Sequence, residues 1–152
     1  MVPATRVANV LLALAHEHGD VVTNLKLQKL LYYAQAWYLV NFGKRLFKDP
    51  IQAWDLGPVV PDVYHAWKKY QSAPIPYRVK GNEESFFQQH QISFLTDFFE
   101  VFSSLSATEL VSMSHAEKPW KEAHARGNNS EIDPKRMRDY YTEQYKAQHG
   151  EN

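Results

Sequence analysis

The chain has 152 residues, 44% hydrophobic and 14% aromatic, which suits one domain able to bury a core without metal or disulfide. Lys plus Arg and Asp plus Glu both number 17, a balance that argues against a protein whose main task is holding a nucleic-acid backbone. There is no cysteine, which excludes disulfides, thiolate zinc sites and cysteine nucleophiles, and no apolar run approaches the roughly 20 residues of a membrane helix.

The N-terminus, MVPATRVANVLLALAHEHGD, lacks a basic start and a small-residue cleavage site. It reads as an amphipathic helix capped by Thr5 and running to about His18, with Val7, Val10, Leu11 and Leu14 as its apolar stripe. The stretch Leu25 to Asn41 then dominates the chain. Leu27, Leu30, Leu31, Ala34, Trp37 and Tyr38 share one helical face, while Leu25, Tyr32, Ala36 and Leu39 occupy the reverse. A helix apolar on nearly all sides is buried, so this one is expected at the centre, with Leu30, Leu31, Ala34 and Trp37 in the core. Lys26 and Lys29 mark its one solvated strip, Thr23 or Asn24 caps its start, and Gly43 supplies a left-handed residue after its end.

Beyond Gly43, Leu46-Phe47 and Ile51 to Trp54 are expected as two short extended pieces around an Asp49-Pro50 turn, with Gly57-Pro58 as a break. Pro61 and Asp62 start a helix to about Tyr70, with Val63, Tyr64 and Trp67 on one side. Residues 71–85 form a loop or arm, and Phe86 to Leu105 a helix carrying Ile92, Leu95, Phe98, Phe99 and Phe102. Ser106 with Glu109 is a capping box for a short helix to Ser114. Residues 115–120 read as a connector, followed by a helical turn or two to Arg126, a loop at 127–129, and a last helix from the Asp133-Pro134 cap. The fold expected is mainly α: a single compact helical domain, 1–152, around a buried central helix with a small β-hairpin, and with 127–152 as a C-terminal helical extension.

Few residues suggest chemistry. His16 and His18 are two apart, not the four that a helical zinc site needs, so no metal is expected there. His115 and His124 can converge only through the fold, and His115 is expected to bond backbone near Pro119. Ser112 and Ser114 lack a nucleophile elbow, and the glycines are too dispersed for a phosphate loop or dinucleotide fingerprint. Asp55 reads as a turn or ladder residue. In the last helix Lys135, Arg136, Arg138 and Lys146 are offset by Asp133, Asp139 and Glu143. No catalytic, metal or cofactor site is expected.

Three blocks carry a resemblance. LQKLLYYAQ at 27–35, AWDLGPVVPDVY at 53–64, and Ser114-His115 with Pro119-Trp120 occur in the order found in the Panacea family of SocA-like antitoxin domains, which includes GepA-like phage-associated proteins. The resemblance spans about Val7 to Ala125. It implies a mostly helical fold with a small β element, and a bacterial or phage protein that neutralises a cognate protein toxin by direct binding; the expected location is cytoplasmic, which the absence of cysteine fits. It also admits an adaptor role, delivering the toxin to an ATP-dependent protease. It does not name the toxin, and oligomeric state is left open.

Partner-binding candidates follow from the second block. Trp54, Asp55, Pro58, Tyr64 and Trp67 surround a bend that cannot be regular helix, and an aromatic on a rigid bend is a low-entropy anchor. Trp54 is expected to be the most buried, and Tyr64 or Trp67 the most exposed. Two other readings remain: a DNA-binding transcriptional regulator, weakened by the charge balance, and a small hydrolase with a site built from His115, Asp55 and their neighbours.

Overall fold

The structure, a computed structural model, describes residues 1–77 and 82–150. In chain order it comprises α1 (Ala4–Glu17), α2 (Asn24–Phe42), β1 (Gln52–Trp54), β2 (Gly57–Val59), α3 (Pro61–Trp67), α4 (Gln89–Phe102), α5 (Ala107–Ala116), α6 (Lys118–Arg126), β3 (Ser130–Glu131) and α7 (Pro134–Gln148), with 3-10 turns at Lys68–Tyr70 and Glu83–Phe86.

α2 is the axis. It packs against α1, α3, α4, α5, α7 and β2. Its caps are those expected: the Thr23 hydroxyl accepts from the Lys26 N–H at 3.2 Å, and Gly43, at φ 70°, donates back to the Leu39 carbonyl. Leu27, Leu30, Leu31, Ala34 and Tyr38 are buried. Trp37 is only half-buried, on the edge where its ring meets Tyr141 of α7 at 5.7 Å. The larger correction is Lys29. It lies in no solvated strip; β2 and α5 close over it and leave it 0% exposed. Lys26 alone reaches outward, donating to the Ser103 carbonyl at 2.7 Å.

α1 is not capped by Thr5. Pro3 precedes the helix, and the Ala4 N–H donates to Asp49 Oδ1 at 2.7 Å, so the cap comes from a residue distant in sequence. Asp49 is thereby drawn away from the hairpin role expected of it. Leu46 and Phe47 form no hairpin strand: Phe47 bridges Val2, and the Gln35 amide holds both residues, accepting from their N–H groups and donating to the Phe47 carbonyl at 2.9 Å. The hairpin lies one step later. β1 pairs antiparallel with β2, Trp54 opposite Gly57, around an Asp55-Leu56 turn. Gly57-Pro58, expected as a break, opens the second strand, since Gly57 at φ 110° completes a turn other residues resist. β3 adds a third strand beside β1, giving the order β2-β1-β3.

The later helices shift at their ends. Phe86 stays outside α4, in a 3-10 turn where the Arg6 guanidinium stacks on its ring at 3.6 Å. The connector expected at 115–120 shrinks to Glu117, because α5 continues to Ala116 and Pro119 sits in the first turn of α6. Within the arm at 71–85, Ile75 is buried and its N–H donates to the Val22 carbonyl; residues 78–81 lie outside the described residues. α7 begins at the Asp133 cap and lays Met137 and Tyr141 on α2.

The Ser106–Glu109 box forms in both directions, at 3.0 and 3.2 Å. Ser106→Ala removes one of these bonds and is expected to lower stability by about 1 kcal/mol. A urea midpoint equal to wild type would show that the α5 start is held by packing alone.

Candidate partner-binding site

The three sequence blocks meet around α2. The Lys29 ammonium donates to the Pro58 carbonyl at 2.9 Å, and Gln28 Oε1 accepts from the Val60 N–H at 2.9 Å, so two neighbouring side chains of α2 clamp β2 and the start of α3. Gln28 Nε2 donates to Asn24 Oδ1, and Asn24 Nδ2 donates to the Tyr64 carbonyl at 3.1 Å. From the other side the Trp120 indole donates to the Trp54 carbonyl at 2.9 Å. Four of these bonds end on backbone groups of the hairpin or of α3, at Trp54, Pro58, Val60 and Tyr64, and the fifth joins Gln28 to Asn24.

Two charged side chains are drawn out of solvent on opposite sides of α2, Lys29 buried within this frame and Glu117 half-buried outside it. Burial, with one carbonyl as partner, depresses the Lys29 ammonium from 10.5 to about 7. Gly57 makes room for the lysine stem: a Cβ there would stand 2.6 Å from Lys29 Cε and 2.9 Å from Ser114 Oγ. On the far side of α2, Glu117 Oε1 accepts from Tyr33 at 2.5 Å and from Tyr141 at 2.8 Å, which leaves Tyr32 to donate to Tyr141 at 2.9 Å. Burial raises the Glu117 carboxyl above its ordinary range, against the pull of the two phenols, and pushes Tyr32, Tyr33 and Tyr141 up as well. The cluster ties the α5–α6 junction to α2 and α7, a structural duty that sequence spacing did not reveal.

His115, Trp120 and His124 form a stack, with ring centres 4.2 and 4.5 Å apart, and His124 Nε2 meets Asp55 Oδ1 at 2.9 Å. The expected backbone bond of His115 is not formed: the ring lies flat on Trp120, and its Nε2 is enclosed without a partner among the described residues. Asp55, His124 and His115 do converge through the fold, but the indole separates the imidazoles, so they cannot pass a proton or share a metal ion. His16 packs on Tyr77, while His18 bonds the Leu14 carbonyl.

Above the frame lies an open groove of about 570 Å³. Trp54 and Tyr64 form its aromatic wall, edge to face at 5.0 Å, and Leu56 at the hairpin tip is 60% exposed beside them. Trp54 and Tyr64 are both half-buried, Asp55 is exposed, and Pro58 is buried beneath. Trp67, also half-buried, lines a separate cleft of about 300 Å³ with Thr5 and Asn9. Trp54, Asp55 and Tyr64 therefore share one surface, with Pro58 as its support and Trp67 apart. Sequence reading passed over Leu56; an apolar residue in a two-residue hairpin turn was the signal, legible only once the turn was correctly placed.

A helical domain whose hairpin is clamped to a central helix by the LQKLLYYAQ, GPVVP and His…Pro-Trp residues agrees with the comparisons. Residues 27–121 match the model of the "Antitoxin SocA-like, Panacea domain" family, well over half of the chain, and the chain belongs to that family. A curated relative, Antitoxin SocA of Caulobacter vibrioides (strain NA1000 / CB15N), is 44% identical over 66 residues, which are 43% of this chain and 35% of the relative. The match thus spans about a third of that relative's length. No solved structure matches. Among the described residues no helix is long and apolar enough to cross a membrane.

Proposed function

We propose that this chain is an antitoxin, acting as a single unit in the cytoplasm, that neutralises a partner protein toxin by direct binding through the hairpin face. Family membership supports the role, and the relative's name points the same way. The observation that carries the choice of surface is the Leu56 side chain, held out beside Trp54 and Tyr64 on a turn whose backbone is fastened from below by Gln28, Lys29 and Trp120. A partner meeting this face orders few groups on binding, which is how aromatic anchors on rigid supports gain affinity. Asp55, at the same tip, contributes a rim charge. Delivery of the toxin to an ATP-dependent protease would use the same docking as its first step.

The test is co-expression with the product of the neighbouring open reading frame. Tyr64→Ala is expected to remain folded by circular dichroism and to weaken toxin binding by about 2 kcal/mol, roughly 30-fold in Kd. Wild-type affinity in the folded variant, with full rescue of toxin-expressing cells, would move the binding surface away from the hairpin.

A further inference from the structure

Two non-glycine residues in the described chain hold positive φ, Gln71 at 52° and Asn129 at 61°, and both line the hairpin groove. Asparagine tolerates that region, but a glutamine with φ 52° and ψ −122° occupies backbone space suited to glycine. The turn it makes, with its N–H on the Lys68 carbonyl, is one glycine would form with less strain. Strain kept at a rim position points to a use for the side chain.

The chemistry of the rim suggests that use. Two groove amides, Asn24 and Gln28, are consumed inside the frame. Gln71, Asn128 and Asn129, all exposed, carry three more primary amides, and no side-chain hydrogen bond joins them to other described residues. A primary amide offers a donor and an acceptor side by side, the complement of the C=O and N–H of one peptide unit. Charge is nearly absent: the lining holds one acid, Asp55, and one base, Lys68, and the acid faces His124. The apolar side of the lining is Leu25 and Val59 with the Trp54, Leu56 and Tyr64 wall.

We propose that the groove takes an extended, uncharged segment of the toxin, its peptide units paired by Gln71, Asn128 and Asn129 and one apolar side chain seated against Trp54, Leu56 and Tyr64. This rests on the antitoxin reading above. It differs from a flat surface contact in requiring main-chain recognition, and from charge-driven docking in requiring a neutral ligand. Asn128 and Asn129 lie beyond the 27–121 stretch matched by the family model, so this part of the recognition belongs to the chain's own C-terminal portion.

The experiment uses Gln71→Gly and Asn129→Gly, substitutions that relieve positive φ while deleting the amide. The probes are the product of the neighbouring open reading frame, purified, and an array of short overlapping peptides covering it. Both variants are expected to melt no lower than wild type and to bind the toxin about ten-fold more weakly, as loss of a partner for a buried peptide group predicts. On the array, wild-type binding is expected only in uncharged windows with an apolar residue. Wild-type affinity in both variants overturns the proposal, as does an array that is blank or marked in acidic or basic windows, while binding and rescue by wild type keep the antitoxin reading intact. If wild type itself neither binds nor rescues, both fall together.

Discussion

Gly57→Ala is expected to lower stability by about 4 kcal/mol, combining roughly 1–3 kcal/mol for a non-glycine residue at this backbone angle with roughly 1–3 kcal/mol for overpacking. Gly57 stands at φ 110°, and the added methyl would meet Lys29 Cε at 2.6 Å and Ser114 Oγ at 2.9 Å. Neither neighbour has an easy retreat. Lys29 is anchored by its bond to the Pro58 carbonyl and enclosed by α5 and β2, and the Ser114 hydroxyl donates to the Val111 carbonyl at 2.9 Å. Urea denaturation reads the loss directly. In a Lys29→Met background part of it should return, because an unanchored thioether can bend away. An unchanged midpoint in Gly57→Ala would mean that α2, β2 and α5 do not close on one another as described.

The second large effect is a pH dependence. Burial depresses the Lys29 ammonium to about 7 from 10.5, so between those values the unfolded chain binds a proton that the folded chain does not. Stability therefore rises with pH across this window, by up to about 1.4 kcal/mol per unit, and is lost as pH falls toward 7. From pH 7.5 to 9.5 wild type should gain roughly 2–3 kcal/mol relative to Lys29→Met, in which the titrating group is gone. The difference between the two proteins cancels the contributions of Glu117 and the buried tyrosines, which both share. A difference that stays flat with pH would show Lys29 titrating as in water. At neutral pH the substitution trades the cost of a buried amine against a carbonyl of Pro58 left without its donor, a smaller net change of either sign.

Both predictions fall on residues of the sequence blocks that mark the family. Lys29, Gly57, Pro58 and Trp120 touch one another or the backbone between them. Most of what is recognisable in those blocks therefore builds the platform, while Leu56, Gln71, Asn128 and Asn129 face the groove. A chain built in this way can change its rim without disturbing its frame, because the rim amides satisfy no internal backbone group.

By itself the sequence determined the elements whose signals are local. α2 was legible because its apolar residues run all round the helix between a threonine and a glycine, and each cap needs only its own neighbours. The Ser106–Glu109 box, the Pro61 start and the Asp133 cap were legible for the same reason. Tertiary structure decided everything set by distant partners. Asp49 caps α1 across the fold instead of turning a hairpin, and Gln35 takes Leu46 and Phe47 out of the sheet, which moves the hairpin to Trp54–Gly57. Lys29 looked solvated because a lysine one turn from Lys26 on a helix ordinarily is; only the closure of β2 and α5 over it, through a glycine lacking the one methyl that would forbid the approach, turns it into a buried clamp.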